Sequence, residues 1–217
     1  MTDPSSPQSS GPPGQTPSEA SDTSRLETFA DGVIAIAITL LILEVKVPPV
    51  PGAGLAEALV HQWPSYAGYV VSFLTIGVIW VNHHHMFKLI ERTNHAFLMM
   101  NVVFLMTIAF LPWSTALAAD YVRDPDGRTV ATAVYGLTMV GIAIMFNVVW
   151  RYASGRGRLL YPTVDSAAIA RSRRDYLMGP IVYSVATLLS LWTPFVSMAI
   201  FAGLAVYWLL PGTGPRA

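Results

Sequence analysis

The stretch Arg25-Leu-Glu-Thr-Phe29-Ala30-Asp31-Gly32-Val-Ile-Ala-Ile36-Ala-Ile-Thr39-Leu40-Leu-Ile-Leu43-Glu44 reads as a helix that crosses a membrane and carries an acid one turn inside its apolar run. A carboxylate at membrane depth costs several kcal/mol even on lenient insertion scales, so such a group faces protein or water and takes a partner. The rest of the segment is a run of branched residues interrupted only by the hydroxyl of Thr39. This pattern describes a helix held on one side and presenting something on the other.

Composition sets the class around that helix. Of 217 residues 53% are hydrophobic and only 12% charged, against about a quarter charged in an ordinary soluble domain. A polytopic, all-α membrane protein fits this balance. Net charge is zero, which points to no particular partner, and nucleic-acid binding has nothing to recommend it. Cysteine is absent, excluding disulfides, thiolate metal sites and iron–sulfur clusters. Residues 1–24, rich in Ser, Pro, Gly and Gln, lack the basic start and apolar centre of a signal peptide and read as a disordered tail. Residues 212–217 form a second short tail.

Between the tails, 25–211, six stretches approach the roughly 17–25 residues that a spanning helix needs: Phe29–Val45, Ser65–Val81, Phe97–Ala118, Thr129–Trp150, Tyr176–Trp192 and Pro194–Leu210. The last two require a tight hairpin at Thr193-Pro194, where proline suits the first turn of a helix. All six tryptophans (Trp63, Trp80, Trp113, Trp150, Trp192, Trp208) fall near span ends, where indole favours the headgroup layer. Six crossings put both termini on one side. That side carries Arg25, Lys88, Arg92, Arg151, Arg156, Arg158, Arg171, Arg173, Arg174 and Arg216, whereas the other has only Lys46, Arg123 and Arg128. The positive-inside rule then predicts cytoplasmic termini in a multi-pass cell-membrane protein. The arginine-rich loop Arg151–Asp175 reads as a topology determinant in contact with anionic lipid headgroups.

Spans three to six carry no Asp, Glu, Lys, Arg or His in their apolar cores, and Asn101 and Asn147 are their most polar groups. A proton-coupled transporter usually places a titratable relay at depth, and a catalytic site needs convergent acid, base or nucleophile. Neither is visible, so an enzyme is not predicted and no cofactor is implied. On a wheel at 100° per residue, Ile36, Leu40 and Leu43 fall on one stripe with Thr39 at its edge, about 140° from Asp31. Spacing alone leaves open whether that stripe faces lipid or a central axis.

A second cluster, Trp80-Val-Asn82-His83-His84-His85, closes span two at the depth of Asp31. An Asp31–His or Asp31–Asn hydrogen bond would relieve the cost of the carboxylate, and Arg25 could join from the interface. A metal site is disfavoured: consecutive histidines on a helix diverge by about 100°, and no i,i+4 pair exists.

The string Arg25-x-x-x-Phe29-Ala30-Asp31-Gly32, followed by Ala-Ile-Ala-Ile-Thr-Leu-Leu and joined by Trp80-x-Asn82-His83-His84, resembles the signature of the prokaryotic transmembrane protein 175 family of potassium channels. Ala30 stands where that motif usually has serine. The resemblance implies a homotetramer passing K⁺, with the first helix as pore wall. It implies a constriction of aliphatic side chains at Ile36, then Leu40 and Leu43, with Thr39 as a polar pore-side position, and it assigns Arg25, Phe29, Asp31, Trp80, Asn82, His83 and His84 to a structural network. A secondary transporter or small-solute exporter, or a non-conducting membrane scaffold, are the alternatives.

The charge asymmetry has a direct check, because the cysteine-free background permits single-cysteine labelling. Asp165→Cys is expected to react with a membrane-impermeant maleimide only after the cytoplasmic face is opened. Rapid labelling from outside intact cells would reverse the orientation.

Overall fold

The computed structural model describes residues 17–50, 52–155 and 159–210. The expected tail positions 1–16 and 212–217, position 211 at the end of the expected channel domain, and Arg156 and Arg158 of the basic loop lie outside the described residues. The described chain is helical throughout: α1 (Pro17–Leu40), continued by a 3₁₀ turn at Leu41–Glu44, α2 (Leu55–His61), α3 (Trp63–Phe87), α4 (His95–Ala109), α5 (Leu111–Tyr121), α6 (Arg128–Ser154), α7 (Ser166–Tyr176), α8 (Met178–Leu189) and α9 (Pro194–Leu209). Helix α1 starts at Pro17, upstream of the expected boundary at Arg25, so 17–24 are helical rather than tail.

Among the described residues, four helical stretches are long and apolar enough to cross a bilayer: Asp22–Glu44, Trp63–Phe87, His95–Tyr121 and Arg128–Ser154. They correspond to the first four expected spans. The third is broken between Ala109 and Leu111, because Pro112 in the first turn of α5 has no N–H to give the carbonyl one turn back. The fifth and sixth stretches are shorter than expected. Helix α8 has 12 residues and α9 has 16, running roughly 18 and 24 Å against a hydrocarbon layer of about 30 Å. They form the expected hairpin, with Pro194 in the first turn of α9 and the Ser197 hydroxyl donating to the Ala186 carbonyl at 2.7 Å.

Helix α6 is the hub, packing against α4, α5, α7, α8 and α9. Its side chains join Phe87, Phe97 and Phe104 in one continuous apolar core. Trp150, read from sequence as an interfacial ring, is instead 2% exposed and packs edge-on to Tyr176. In a bilayer interior polar groups must find partners within the protein, and three hydroxyls do: Ser72 of α3 lies 2.8 Å from the Thr115 hydroxyl of α5 and 3.3 Å from the Tyr135 hydroxyl of α6. At the end where α1 begins, the α3–α4 loop is clipped to the α6–α7 loop by an Ile90–Leu160 bridge, with Glu91 N–H donating to Leu159 O at 2.8 Å.

The α6–α8 seam closes at Gly136, where an added Cβ would lie 2.4 Å from the Thr187 hydroxyl and 3.0 Å from its Cβ. Small residues at helix crossings in membranes permit this approach. Gly136→Ala is expected to destabilise by about 1–3 kcal/mol, lowering the Tm of detergent-purified protein. Gly141→Ala, where a Cβ meets nothing within 4 Å, should hold or raise Tm through helix propensity alone.

Candidate functional site

Helix α1 has two faces. Leu26, Ala30, Ile34, Ala37 and Leu41 recur every three or four residues and are all buried, an i, i+4 stripe turned into the helix's own bundle. Ala30 is 0% and Ala37 2% exposed, so α1 approaches its neighbours α3 and α4 closely. With Ala30 enclosed, the missing serine hydroxyl leaves no polar atom to satisfy at this crossing. The opposite stripe is bare: Phe29 is 54%, Ile36 60%, Leu40 43% and Leu43 69% exposed. Arg25, Gly32 and Thr39 share that exposed side.

Asp31 sits at the border between the faces, half-buried. Its Oδ1 accepts a 2.9 Å hydrogen bond from the indole Nε1 of Trp80. One turn earlier on α1, Glu27 Oε1 lies 3.0 Å from Nδ1 of His84, which is one turn later on α3. The antiparallel helices are therefore joined by a two-rung ladder, Glu27–His84 and Asp31–Trp80. The rings of Trp80 and His84 stack, with centroids 5.9 Å apart and 13° between planes. The i, i+4 spacing on both helices keeps each pair on one face.

The expected Asp31–histidine and Asp31–Asn82 bonds do not form. Consecutive side chains on α3 point about 100° apart, so with Trp80 and His84 turned to α1, His83 turns into the core. His83 is 0% exposed, its Nε2 lies 3.3 Å from Asn101 Oδ1 on α4, and its ring stacks on Phe104. An amide oxygen only accepts, so His83 carries its proton on Nε2. Asn101 is fixed in turn by donating to the Phe97 carbonyl at 2.9 Å. Asn82 donates to Val78 O of its own helix. Arg25 and Phe29 stay outside the ladder, on the exposed side.

Of the seven expected network residues, the structure thus joins Asp31, Trp80 and His84, and places His83 in a separate pair. Glu27 and Asn101 complete these contacts without having been singled out as partners. Asn101 had a signal as the polar residue of its span; Glu27 had only its i, i+4 relation to Asp31. On the exposed stripe, the Thr39 hydroxyl lies 2.9 Å from both Ala35 O and Ile36 O, so its proton is directed back into the helix and its oxygen lone pairs face outward. At the far end Lys46 Nζ lies 3.9 Å from Asp120 Oδ2, both well exposed, a pair of small energetic weight.

The chain matches the family model described as "Endosomal/lysosomal potassium channel TMEM175" over residues 25–112. It is 43% identical over 188 residues to a protein named potassium channel from Streptomyces collinus, covering 86% of this chain and 91% of that one. A potassium channel of Chamaesiphon minutus is 44% identical over 195 residues, covering 88% and 96%. The crystal structure of a lysosomal potassium-selective channel TMEM175 homolog from Chamaesiphon minutus superposes with a TM-score of 0.79 at 41% identity, over 87% of this chain and 96% of that chain.

The ladder makes a quantitative expectation. A hydrogen bond to a charged group contributes about 1.5–3 kcal/mol when shielded, and the half-exposed setting of Asp31 brings this to about 1–2 kcal/mol. Asp31→Ala and Trp80→Phe should each lower Tm in detergent, and the double variant should cost less than their sum. Strict additivity would mean that the two side chains are not coupled.

Proposed function

Because the chain belongs to the TMEM175 family, we propose that it is a potassium-selective cation channel, a homotetramer of the cell membrane in which α1 of each copy lines the pore. Residues 25–211 form the channel unit. Six crossings, counting the α8–α9 hairpin as two short spans met by local bilayer thinning, put both termini in the cytoplasm. The observation that carries the reading is the bare Phe29–Ile36–Leu40–Leu43 stripe, on the opposite side of α1 from the face packed into its own subunit. Relatives named potassium channel over nine-tenths of their length support the same conclusion.

The chemistry follows from the side chains. Four Ile36 residues around an axis make a ring with no ligand for a cation, so passage depends on how much water the ion sheds. K⁺ holds its hydration shell less tightly than Na⁺, and an apolar neck therefore favours K⁺ and also gates by dewetting. One turn on, the outward lone pairs of Thr39 offer the rehydrating ion an oxygen acceptor. Arg25 and Phe29 occupy the cytoplasmic mouth of the same stripe. Asp31, Trp80, His84 and Glu27 act as anchors of α1, with His83 holding α3 to α4. A secondary transporter would require a titratable midplane group, and a scaffold would conduct nothing.

Purified protein in a planar bilayer between KCl and NaCl tests the reading. A cation current reversing toward the K⁺ equilibrium potential is expected, and Ile36→Asn and Ile36→Ala should move the reversal potential toward zero with assembly intact. Unchanged reversal potentials in both variants would remove Ile36 from the selectivity ring. Absence of any conductance from intact tetramers would overturn the channel itself.

A further inference from the structure

At the end of the bundle opposite the start of α1, helices α3, α5, α6 and α9 surround a cavity of about 320 Å³. Small side chains leave it open: Ala67 and Gly68 on α3, Ala118 and Ala119 on α5, Ala199 and Ala202 on α9. Ala67 and Ala199 are exposed, so the cavity opens sideways along the α3–α9 seam, toward the surface that a bilayer would cover.

Two unmatched polar groups on α6 mark this cavity. Arg128, the first residue of α6, lies with its guanidinium 4.4 Å above the ring of Phe195, a residue of the cavity wall. Its Nε is buried and has no hydrogen-bond partner among the described residues. The nearby Asp124 carboxylate is occupied by the amides of Asp126 and Gly127. One turn further into the bundle, Thr132 lines the cavity and is 0% exposed, and its hydroxyl also has no partner. A buried guanidinium donor followed by a buried hydroxyl, both beside an apolar slot, suits an elongated molecule with an anion at one end and a hydrocarbon tail at the other.

We propose that this slot is a binding site for a phospholipid of the leaflet at this end of the bundle. A phosphate oxygen accepts from Arg128 Nε, an acyl ester carbonyl accepts from the Thr132 hydroxyl, and one acyl chain fills the cavity between α3 and α9. Four residues of α6 separate the two donors by about 6 Å along the axis, the order of distance between the phosphate and first ester carbonyl of a glycerophospholipid. The membrane supplies this ligand at high local concentration, and a charge-assisted bond to phosphate gives the site its headgroup preference. The proposal rests on the membrane-embedded reading of the chain and not on ion conduction.

The test is native mass spectrometry of the delipidated full chain titrated with 1-palmitoyl-2-oleoyl-phosphatidylglycerol, with 1-palmitoyl-2-oleoylglycerol as the phosphate-free comparison. Wild type should retain the phospholipid about tenfold more tightly than the diacylglycerol. Arg128→Gln should abolish that preference, and Ala199→Phe, which fills the slot, should weaken retention of both lipids. Thr132→Val keeps the side-chain shape, removes a hydroxyl that has no partner among the described residues, and should weaken phospholipid retention several-fold without lowering Tm; it keeps the test decisive should the other variants misfold. Equal retention of the two lipids by wild type, or unchanged retention in Arg128→Gln and Thr132→Val, would overturn the proposal. Complete displacement by millimolar inorganic phosphate would assign the cation to a free anion instead. Spontaneous disulfide formation between protomers in Ala67→Cys/Ala199→Cys would give the seam to a second copy. Lipid retention is read without current, so a failed conductance measurement leaves this result standing.

Discussion

Glu27 and Asp31 stand one turn apart on α1 and meet His84 and Trp80, one turn apart on the antiparallel α3. The placement of α1 depends on this ladder, because its two part-buried carboxylates find their donors on α3, and a half-exposed bond to a charged group still contributes about 1–2 kcal/mol. Two rungs fix both the rotation of α1 and its register along α3. Rotation by one residue would carry Asp31 away from the indole and bring a larger side chain against the crossing that Ala30 and Ala37 now occupy at 0% and 2% exposure. The direction in which Ile36, Leu40 and Leu43 point is thus a consequence of where two carboxylates find their donors.

Helix α3 makes polar contacts of this kind with four of its neighbours. Trp80 and His84 reach α1, His83 reaches Asn101 of α4, and Ser72 reaches Thr115 of α5 and Tyr135 of α6. The indole, the two histidines and a serine two turns away serve four different neighbours because each residue advances the direction by about 100°. The outward stripe of α1 has nothing comparable. The hydroxyl of Thr39 turns its proton back to Ala35 and Ile36, as that of Thr28 does to Ser24.

Much of this could be read from the residues, and the exceptions have two causes. The first four spans, the need of Asp31 for a partner, and its separation from the Ile36 stripe all follow from helical periodicity, which is local. The identity of that partner did not follow, because which of Trp80, Asn82, His83 and His84 faces α1 is set by how α3 is rotated in the bundle. Trp80 fits the interfacial tryptophan pattern while its N–H serves Asp31, and Trp150 fits the same pattern while being enclosed in the core. The apolar stretches also run across Pro112, whose missing N–H divides α4 from α5, and extend beyond the ends of α8 and α9. Each exception concerns either a tertiary rotation or a break that composition does not register.

A pore wall built this way separates fixing from selecting. In the proposed channel the neck discriminates by width, since an isoleucine ring offers the ion no ligand and any widening admits the hydrated competitor. Such a filter needs a backbone that stays in place as ions pass, yet it cannot use polar contacts on its own inner face without becoming a binding site. Placing the ladder at the border of the two faces resolves this: the bonds from Glu27 and Asp31 to α3 lie beside the stripe, not on it, and the closely packed alanines behind it leave little room for α1 to tilt. The substitution of alanine for serine at position 30 is compatible with the same logic, because a fully enclosed methyl packs without requiring an acceptor, while the two carboxylates already hold the helix.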